Sequence, residues 1–398
     1  MIQVNLLDIE FNNDTPEEQI TDVSKEFYCR YQSENYNNKY QAWRSNCKNV
    51  YGFNYRKDCK EFAYMGGAGY IENTPQKSEK KALIKISFLL GLVFVVTIVF
   101  MAFIKIPIVN LLNILNYNIK IDSLSKEIIA SQNNIFILDM LCNILKYLLP
   151  IMLLAVFLKT PKEVVFFKSS YSGPVFVKTI PAVMLFFPIL VAVSEIYQRV
   201  LVFSGITPQE ITILVPSQRG LFIFSIVFYI VILPVLQSIL MNGFVLQSLR
   251  QFGDDYAIII LSTLSALFFH SFTYFGVEFL YSIIIGFIAI RTGSFFSCLF
   301  SRILFQSFQY ILLYIHQTQS TIVSKFYISW IILMALVLGL FSFKNLMQNT
   351  SNIFSFNKHH KYMSLRKKIG YTFTAVPFVF YIIVSFLLQL YTLGFVLK

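Results

Sequence analysis

Apolar blocks of about 20 residues, long enough to cross a bilayer, recur from residue 83 to the end of the chain, and no other feature restricts its fold so severely. Inside hydrocarbon every backbone N–H and C=O must be satisfied within the protein, so such blocks read as membrane-spanning helices. The pattern predicts spans at 83–104, 135–158, 175–203, 221–247, 256–274, 277–290, 295–315, 322–343 and 371–397, nine in all. The block at 277–290 is short and reads as tilted or half-buried. Composition agrees, since 398 residues with 56% hydrophobic and 14% charged residues are too apolar for a soluble chain of this size. The fold class is an all-α polytopic membrane protein.

The formal net charge of +12 would suggest nucleic acid if it lay on a soluble face. Much of it instead stands beside apolar blocks, in clusters such as Lys77, Lys80, Lys81, Lys85, then Lys159, Lys162, Lys168, then Lys358, Lys361, Arg366, Lys367, Lys368. That is the pattern of cytoplasmic loops beside anionic lipid headgroups, and it argues against nucleic acid. With nine spans the basic segments fall on one side, so the N-terminus is expected in the cytoplasm and the C-terminus outside. Residues 1–81 form a polar tail, acidic at first (Asp8, Glu10, Asp14, Glu17, Glu18, Asp22, Glu26) and then rich in Tyr and Asn. With so few apolar residues it is expected to be largely disordered, although Thr15-Pro-Glu-Glu is a helix-start pattern. No cleavable signal peptide opens the chain. The five cysteines (Cys29, Cys47, Cys59, Cys142, Cys298) have neither zinc-knuckle nor redox spacing and read as free thiols.

Between residues 233 and 306 the apolar sequence carries a row of polar side chains: Gln237, Ser238, Asn242, His270, Arg302 and Gln306. Polar groups in a bilayer are costly and face a protein interior or cavity, so this row is the candidate site. The order is Leu233-Pro-Val-Leu-Gln-Ser-Ile-Leu-Met-Asn-Gly243, then Ser265-Ala-Leu-Phe-Phe-His270, then Arg291-Thr-Gly-Ser, then Arg302-Ile-Leu-Phe-Gln306. It resembles the CPBP family of intramembrane metalloproteases, which includes CAAX-processing endopeptidases and bacterial lysostaphin-resistance-protein-A-like and bacteriocin-immunity proteins. The resemblance covers about residues 80–398, with a core at about 175–343. It implies a plasma membrane of a bacterium as the location.

That family reads Glu-Glu-x-x-x-Arg-Gly on one helix, Phe-x-x-x-His on the next, and His-x-x-x-Asn after a Thr-Gly-Ser turn. Here the double-Glu positions are Gln237 and Ser238, the Arg position is Asn242 before Gly243, and the Phe position is Ala266. The second His and the Asn are Arg302 and Gln306, which leaves His270 as the one match among the reactive residues. On the family's precedent the first Glu is the base and the two His with the Asn complete the site. Gln237 cannot take a proton from water, and Arg302 stays protonated and cannot ligate a metal. The resemblance therefore implies a degenerate, non-catalytic member with no functional metal site, His270 being a remnant ligand. The cavity would serve binding or structure toward membrane lipid, a transmembrane peptide or a partner membrane protein.

The alternative is an active CAAX-type endopeptidase with a rearranged site, zinc as cofactor and Glu278 with His270 as working residues. Glu278 has two readings, a counter-ion for Arg302 or a side chain at the water interface. His270 likewise reads as a site remnant or as a buried, hydrogen-bonded imidazole. Arg302 would hold an anionic group such as a carboxylate, because a guanidinium offers five donors. Glu195 and Arg199, four apart on a helix face, read as an interfacial ion pair. His316, His359 and His360 read as loop or helix-end residues.

Overall fold

The computed structural model describes residues 32–46, 48–54, 62–65, 69–72, 75–121, 128–169, 181–207, 215–269, 271–349, 363–391 and 394–395. Helices dominate, as the apolar blocks require. In chain order they are α1 (Glu34–Ser45), α2 (Pro75–Ile114), α3 (Gln132–Leu158), the single turn α4 (Lys162–Val165), α5 (Phe187–Phe203, entered through a 3-10 turn at Val183–Phe186), α6 (Arg219–Arg250), α7 (Asp254–Phe268), α8 (Phe272–Thr292), α9 (Phe295–Thr318), α10 (Thr321–Asn349), α11 (Leu365–Thr372) and α12 (Val376–Tyr391). Three two-stranded antiparallel pairs join loops: β1 (Phe62–Met65) with β2 (Gly69–Glu72), β3 (Lys120–Ile121) with β4 (Ile128–Ile129), and β5 (Ile206–Thr207) with β6 (Gly394–Phe395).

Seven helices are long and apolar enough to cross a membrane, and α11 with α12, bent by 80° at their junction, would make an eighth. The remaining predicted block became α7, whose 15 residues span about 22 Å, short of a hydrocarbon core of about 30 Å. It is apolar on all sides and nearly every residue from Tyr256 to Phe268 is buried, as a helix at the centre of a bundle must be. The block expected to be short, 277–290, instead lies inside α8, a helix of 21 residues. The start of the predicted span 175–203 lies outside the described residues up to residue 180.

Close backbone approach sets two of the helix contacts. A Cβ on Gly91 of α2 would overlap the backbone of Pro377 and Phe378 at the start of α12, and one on Gly339 of α10 would overlap Met184 and Leu185. Glycine permits the contact because it has no side chain, the usual device for helix association in lipid. Within α6, a π-helical stretch at Phe228–Ile232 precedes Pro234. Proline has no N–H to give and its ring displaces the preceding turn, which accounts for the widened winding there. A second π-helical stretch, Ile239–Val245, centres on Asn242 and Gly243. A Cβ on Gly243 would lie 2.8 Å from Cγ1 of Val165, so α4 rests directly on this stretch.

The segment expected to be a largely disordered tail departs from that reading between residues 32 and 54. Ser33 caps α1, and Tyr36, Tyr40 and Trp43 form a buried aromatic stripe at helical spacing. Their polar tips close bonds that the ends of α3 and α6 leave open. Trp43 Nε1 donates to the Leu158 carbonyl (2.8 Å), the Tyr40 hydroxyl to the Gln247 carbonyl (2.8 Å), and the Tyr36 hydroxyl to Gln247 Oε1 (2.7 Å). Gln251 continues the seam, accepting from Phe53 N (2.8 Å) and donating to the Tyr51 carbonyl (3.0 Å). Asp8 to Glu26 and the Thr15-Pro-Glu-Glu pattern lie outside the described residues.

The same end gathers the buried Lys368–Glu79 ion pair (2.6 Å), a further bond from Lys368 Nζ to the Phe252 carbonyl, and the Arg250–Asp254 pair (2.9 Å). The turns after α3, α6 and α8 and the starts of α2 and α11 therefore share one basic end. Asn133 meets Ser217 and Gln218 at the opposite end, where β5 and β6 also pair. Glu195 and Arg199 are both exposed on α5 and no ion pair joins them; an exposed pair gains too little to hold two long side chains in place.

Two outcomes are expected. Replacing Gly91 by Ala should cost about 3 kcal/mol through overpacking, whereas Gly276→Ala, where a Cβ meets nothing, should be neutral or gain up to about 1 kcal/mol; thermal unfolding in detergent measures both. Trp43→Ala should loosen α1 by about 3 kcal/mol, read as a loss of about two decades of amide-exchange protection across Glu34–Ser45 with the bundle helices unchanged.

Candidate functional site

Glu278 is the residue on which the site is built. It lies on α8 with its residue surface 8% exposed, and its Oε1 accepts from four donors on four helices. Ser265 Oγ of α7 donates at 2.6 Å, Ser282 Oγ of α8 at 2.9 Å, Gln237 Nε2 of α6 at 3.1 Å and Arg302 Nη1 of α9 at 3.4 Å. Counting 1.5 Å per residue from the basic ends of their helices, Gln237, Ser265 and Glu278 stand about 20, 17 and 21 Å deep. Arg302, about 11 Å deep by the same rise, reaches up to meet them. This polar clasp lies about two-thirds of the way along α8 from its basic end.

Each donor is where local sequence puts it. Ser282 follows Glu278 by one helical turn and so lies on the same face. Ser265 is on the buried α7, which packs along α8. Tyr281 supports the guanidinium from below: Arg302 Cζ lies 5.3 Å from its ring centroid, and the ring stacks on Phe305 at 3.9 Å. An aromatic face attracts a desolvated cation, and stacking fixes that face in position.

The Arg302–Glu278 attraction at 3.4 Å is worth about 5 kcal/mol at an effective dielectric of about 20. Desolvating each ion costs several kcal/mol, so the pair alone does not stabilise the fold. The three neutral donors tip the balance, because a carboxylate gains more from a hydrogen bond than a neutral acceptor does.

Of the positions in the polar row, Gln237 and Arg302 come together, joined through Glu278. Ser238 and Asn242 are buried on α6, and Gln306 is half-buried one turn beyond Arg302. The anionic group expected opposite Arg302 is thus a carboxylate of the same chain, and of the two readings of Glu278 the counter-ion is the one the structure places. The water-interface reading fails because Glu278 is 8% exposed and its Oε1 is held by donors from four helices. His270 lies outside the described residues, as do His359 and His360, and His316 is exposed. Sequence reasoning missed Ser265, Ser282 and Tyr281, although the spacing of Glu278 and Ser282 was the available signal.

A second polar group sits within α3 and α6. Asp139 Oδ2 accepts from the Tyr229 hydroxyl (3.0 Å) and from Asn143 Nδ2 (3.0 Å). Two turns along α3 the Lys146 ammonium lies 4.8 Å from the Phe268 ring centroid at the C-terminus of α7, where a helix end favours positive charge.

Among the described residues no three His, Cys, Asp or Glu side chains converge as a metal site would need. Glu278 brings one carboxylate, its Oε1 already taken by four donors, with a fixed guanidinium beside it. Among the described residues that set brings no nitrogen or sulfur ligand for zinc and places a cation beside its one carboxylate.

Removing one partner of the clasp should be far more harmful than removing both. Arg302→Leu alone is expected to cost about 3–5 kcal/mol, and Glu278→Gln with Arg302→Met together much less; a double-mutant cycle on thermal unfolding checks it. No protein-family model, no curated protein and no solved structure matches the chain.

Proposed function

We propose that this chain is a non-catalytic intramembrane protein of the CPBP type, in which the positions that would carry hydrolysis form a closed clasp and the bundle acts as a binding or scaffold element in the membrane. The observation that carries this reading is the meeting of Gln237 and Arg302 at Glu278. By motif order those two positions correspond to the family's base and its second His. They converge here, as positions of one site should, but with an amide and a guanidinium in place of base and ligand.

The clasp also speaks against the rearranged-protease reading. A general base needs a lone pair free to take a proton from water. Here four donors occupy one oxygen of Glu278, and a fixed guanidinium stands beside it. Partners on this reading are membrane lipid and a transmembrane segment of another protein, met on the apolar outer faces of the helices. The chain crosses the bilayer nine times, counting α7 and the bent α11–α12 pair, and lies in a bacterial plasma membrane with its basic end and N-terminus in the cytoplasm and its C-terminus outside. Clustering of the basic turns at one end supports that orientation.

The test is metal content and cleavage together on the purified full-length protein. Zinc well below one equivalent by mass spectrometry and no cleavage of prenylated or transmembrane peptides are expected. Stoichiometric zinc, or cleavage abolished by His270→Ala, would overturn the reading and return Glu278 to the role of base.

A further inference from the structure

Five cations stand exposed where α2 and α11 meet: Lys80, Lys81 and Lys85 on α2, and Arg366 and Lys367 on α11. The two helices touch, and the Lys80 ammonium lies 4.5 Å from the centroid of the Tyr371 ring. Lys367 precedes Tyr371 by one helical turn and shares its face, so two cations from distant parts of the chain gather at one ring. Glu79 is the one acid of α2, and it turns inward to the buried Lys368. No acid occurs in α11. Among the described residues none of the five exposed cations is joined to a carboxylate.

The same face of α2 then turns apolar. Lys81, Lys85, Phe88 and Leu92 follow at steps of four, three and four, so they lie on one side of the helix. All four are exposed, and Val96 and Val99 continue the stripe. Charge gives way to hydrocarbon within one turn, between Lys85 and Phe88. Lys105, also exposed, stands about 30 Å further along α2 by helical rise, which is the thickness of a hydrocarbon core. Lys85 therefore marks one boundary of the bilayer and Lys105 the other. A cluster of cations directly above an exposed apolar stripe matches a phosphate above acyl chains. A nucleic acid or an acidic peptide would meet the cations and leave Phe88 and Leu92 uncovered.

We propose that the patch shared by α2 and α11 binds an anionic phospholipid of the leaflet at the basic end, its phosphate on Lys80, Lys81 and Lys367 and its acyl chains along Phe88, Leu92 and Val96. An ammonium has three donors and no acceptor, which suits phosphate oxygens. The Tyr371 ring holds the Lys80 ammonium in place by attraction to its face. Pairing of Glu79 with Lys368 inside the bundle removes the one carboxylate of α2 that would repel the phosphate. Lipid as a partner thereby gains a headgroup charge and a place, on the strength of the membrane reading alone: bound zinc or cleavage would sink the non-catalytic reading and leave this site untouched.

The test uses full-length protein in phosphatidylcholine nanodiscs. A trace of phospholipid with a photoreactive diazirine in one acyl chain is added, carrying either a phosphatidylglycerol or a phosphatidylcholine headgroup, and crosslinks are mapped by mass spectrometry. The phosphatidylglycerol probe is expected to label residues 86–99 at least about fivefold more than the phosphatidylcholine probe, as even one cation near a headgroup provides. Lys80→Gln with Lys367→Gln should bring the two probes level there, whereas Lys105→Gln should change nothing; thermal unfolding confirms that each variant is folded. Equal labelling by both probes in the unaltered protein would overturn the proposal, as would a preference that the double substitution leaves intact. An equal preference at the Lys159–Lys168 turn would also overturn it, by showing attraction to the whole basic end. Loss of the preference on adding inorganic phosphate at fixed ionic strength would assign the patch to a free anion instead.

Discussion

Hydrocarbon offers no hydrogen bonds, and most of this structure follows from that constraint. It makes each apolar block a helix, since only a helix satisfies its own backbone. It also removes the hydrophobic drive between helices already in lipid, so association must come from close contact and from polar groups that have nowhere else to go. Gly91 against the start of α12 and Gly339 against the 3-10 turn are contacts of the first kind. The clasp at Glu278 is of the second kind, and it ties α6, α7, α8 and α9 at a single oxygen.

A buried ion pair is weak grounds for stability, because desolvation offsets attraction. Its effect here is on register. Glu278 can accept from Ser265, Gln237 and Arg302 together only if three other helices hold one axial position relative to α8. A shift of one residue would move a donor by about 1.5 Å and rotate it away. The Tyr281–Phe305 stack beneath Arg302 adds a second condition on the same two helices. The clasp thus selects one packing among the many that apolar surfaces alone would tolerate.

The basic end is organised by a related need. Helix C-termini leave four carbonyls open, and α1 brings indole and phenol donors to those of α3 and α6. Lys368 serves the turn after α6 in the same way while it pairs with Glu79 at the start of α2. The part of the polar segment from Tyr36 to Phe53 is therefore part of the bundle's closure. Within Glu34–Ser45 the buried apolar side chains lie on one aromatic face, Tyr36, Tyr40 and Trp43, which an average over the whole tail does not register.

The sequence by itself determined the class, the approximate helices and the asymmetry of charge, because these follow from block length, hydropathy and the position of Lys and Arg along the chain. It also marked Gln237, Ser238, Asn242 and Arg302 as costly groups that must face inward, since that cost depends on residue type alone. The role of Glu278 was left between two readings, and Ser265, Ser282 and Tyr281 were not marked, because a serine or a tyrosine in a span is ordinary until a partner is known. Only the tertiary structure decided that α7 is the short, largely buried helix and α8 the long one, that Tyr36, Tyr40 and Trp43 dock on the bundle, and that one carboxylate oxygen gathers donors from four helices. Those outcomes depend on distances between residues far apart in the chain, which helix packing sets and local pattern does not.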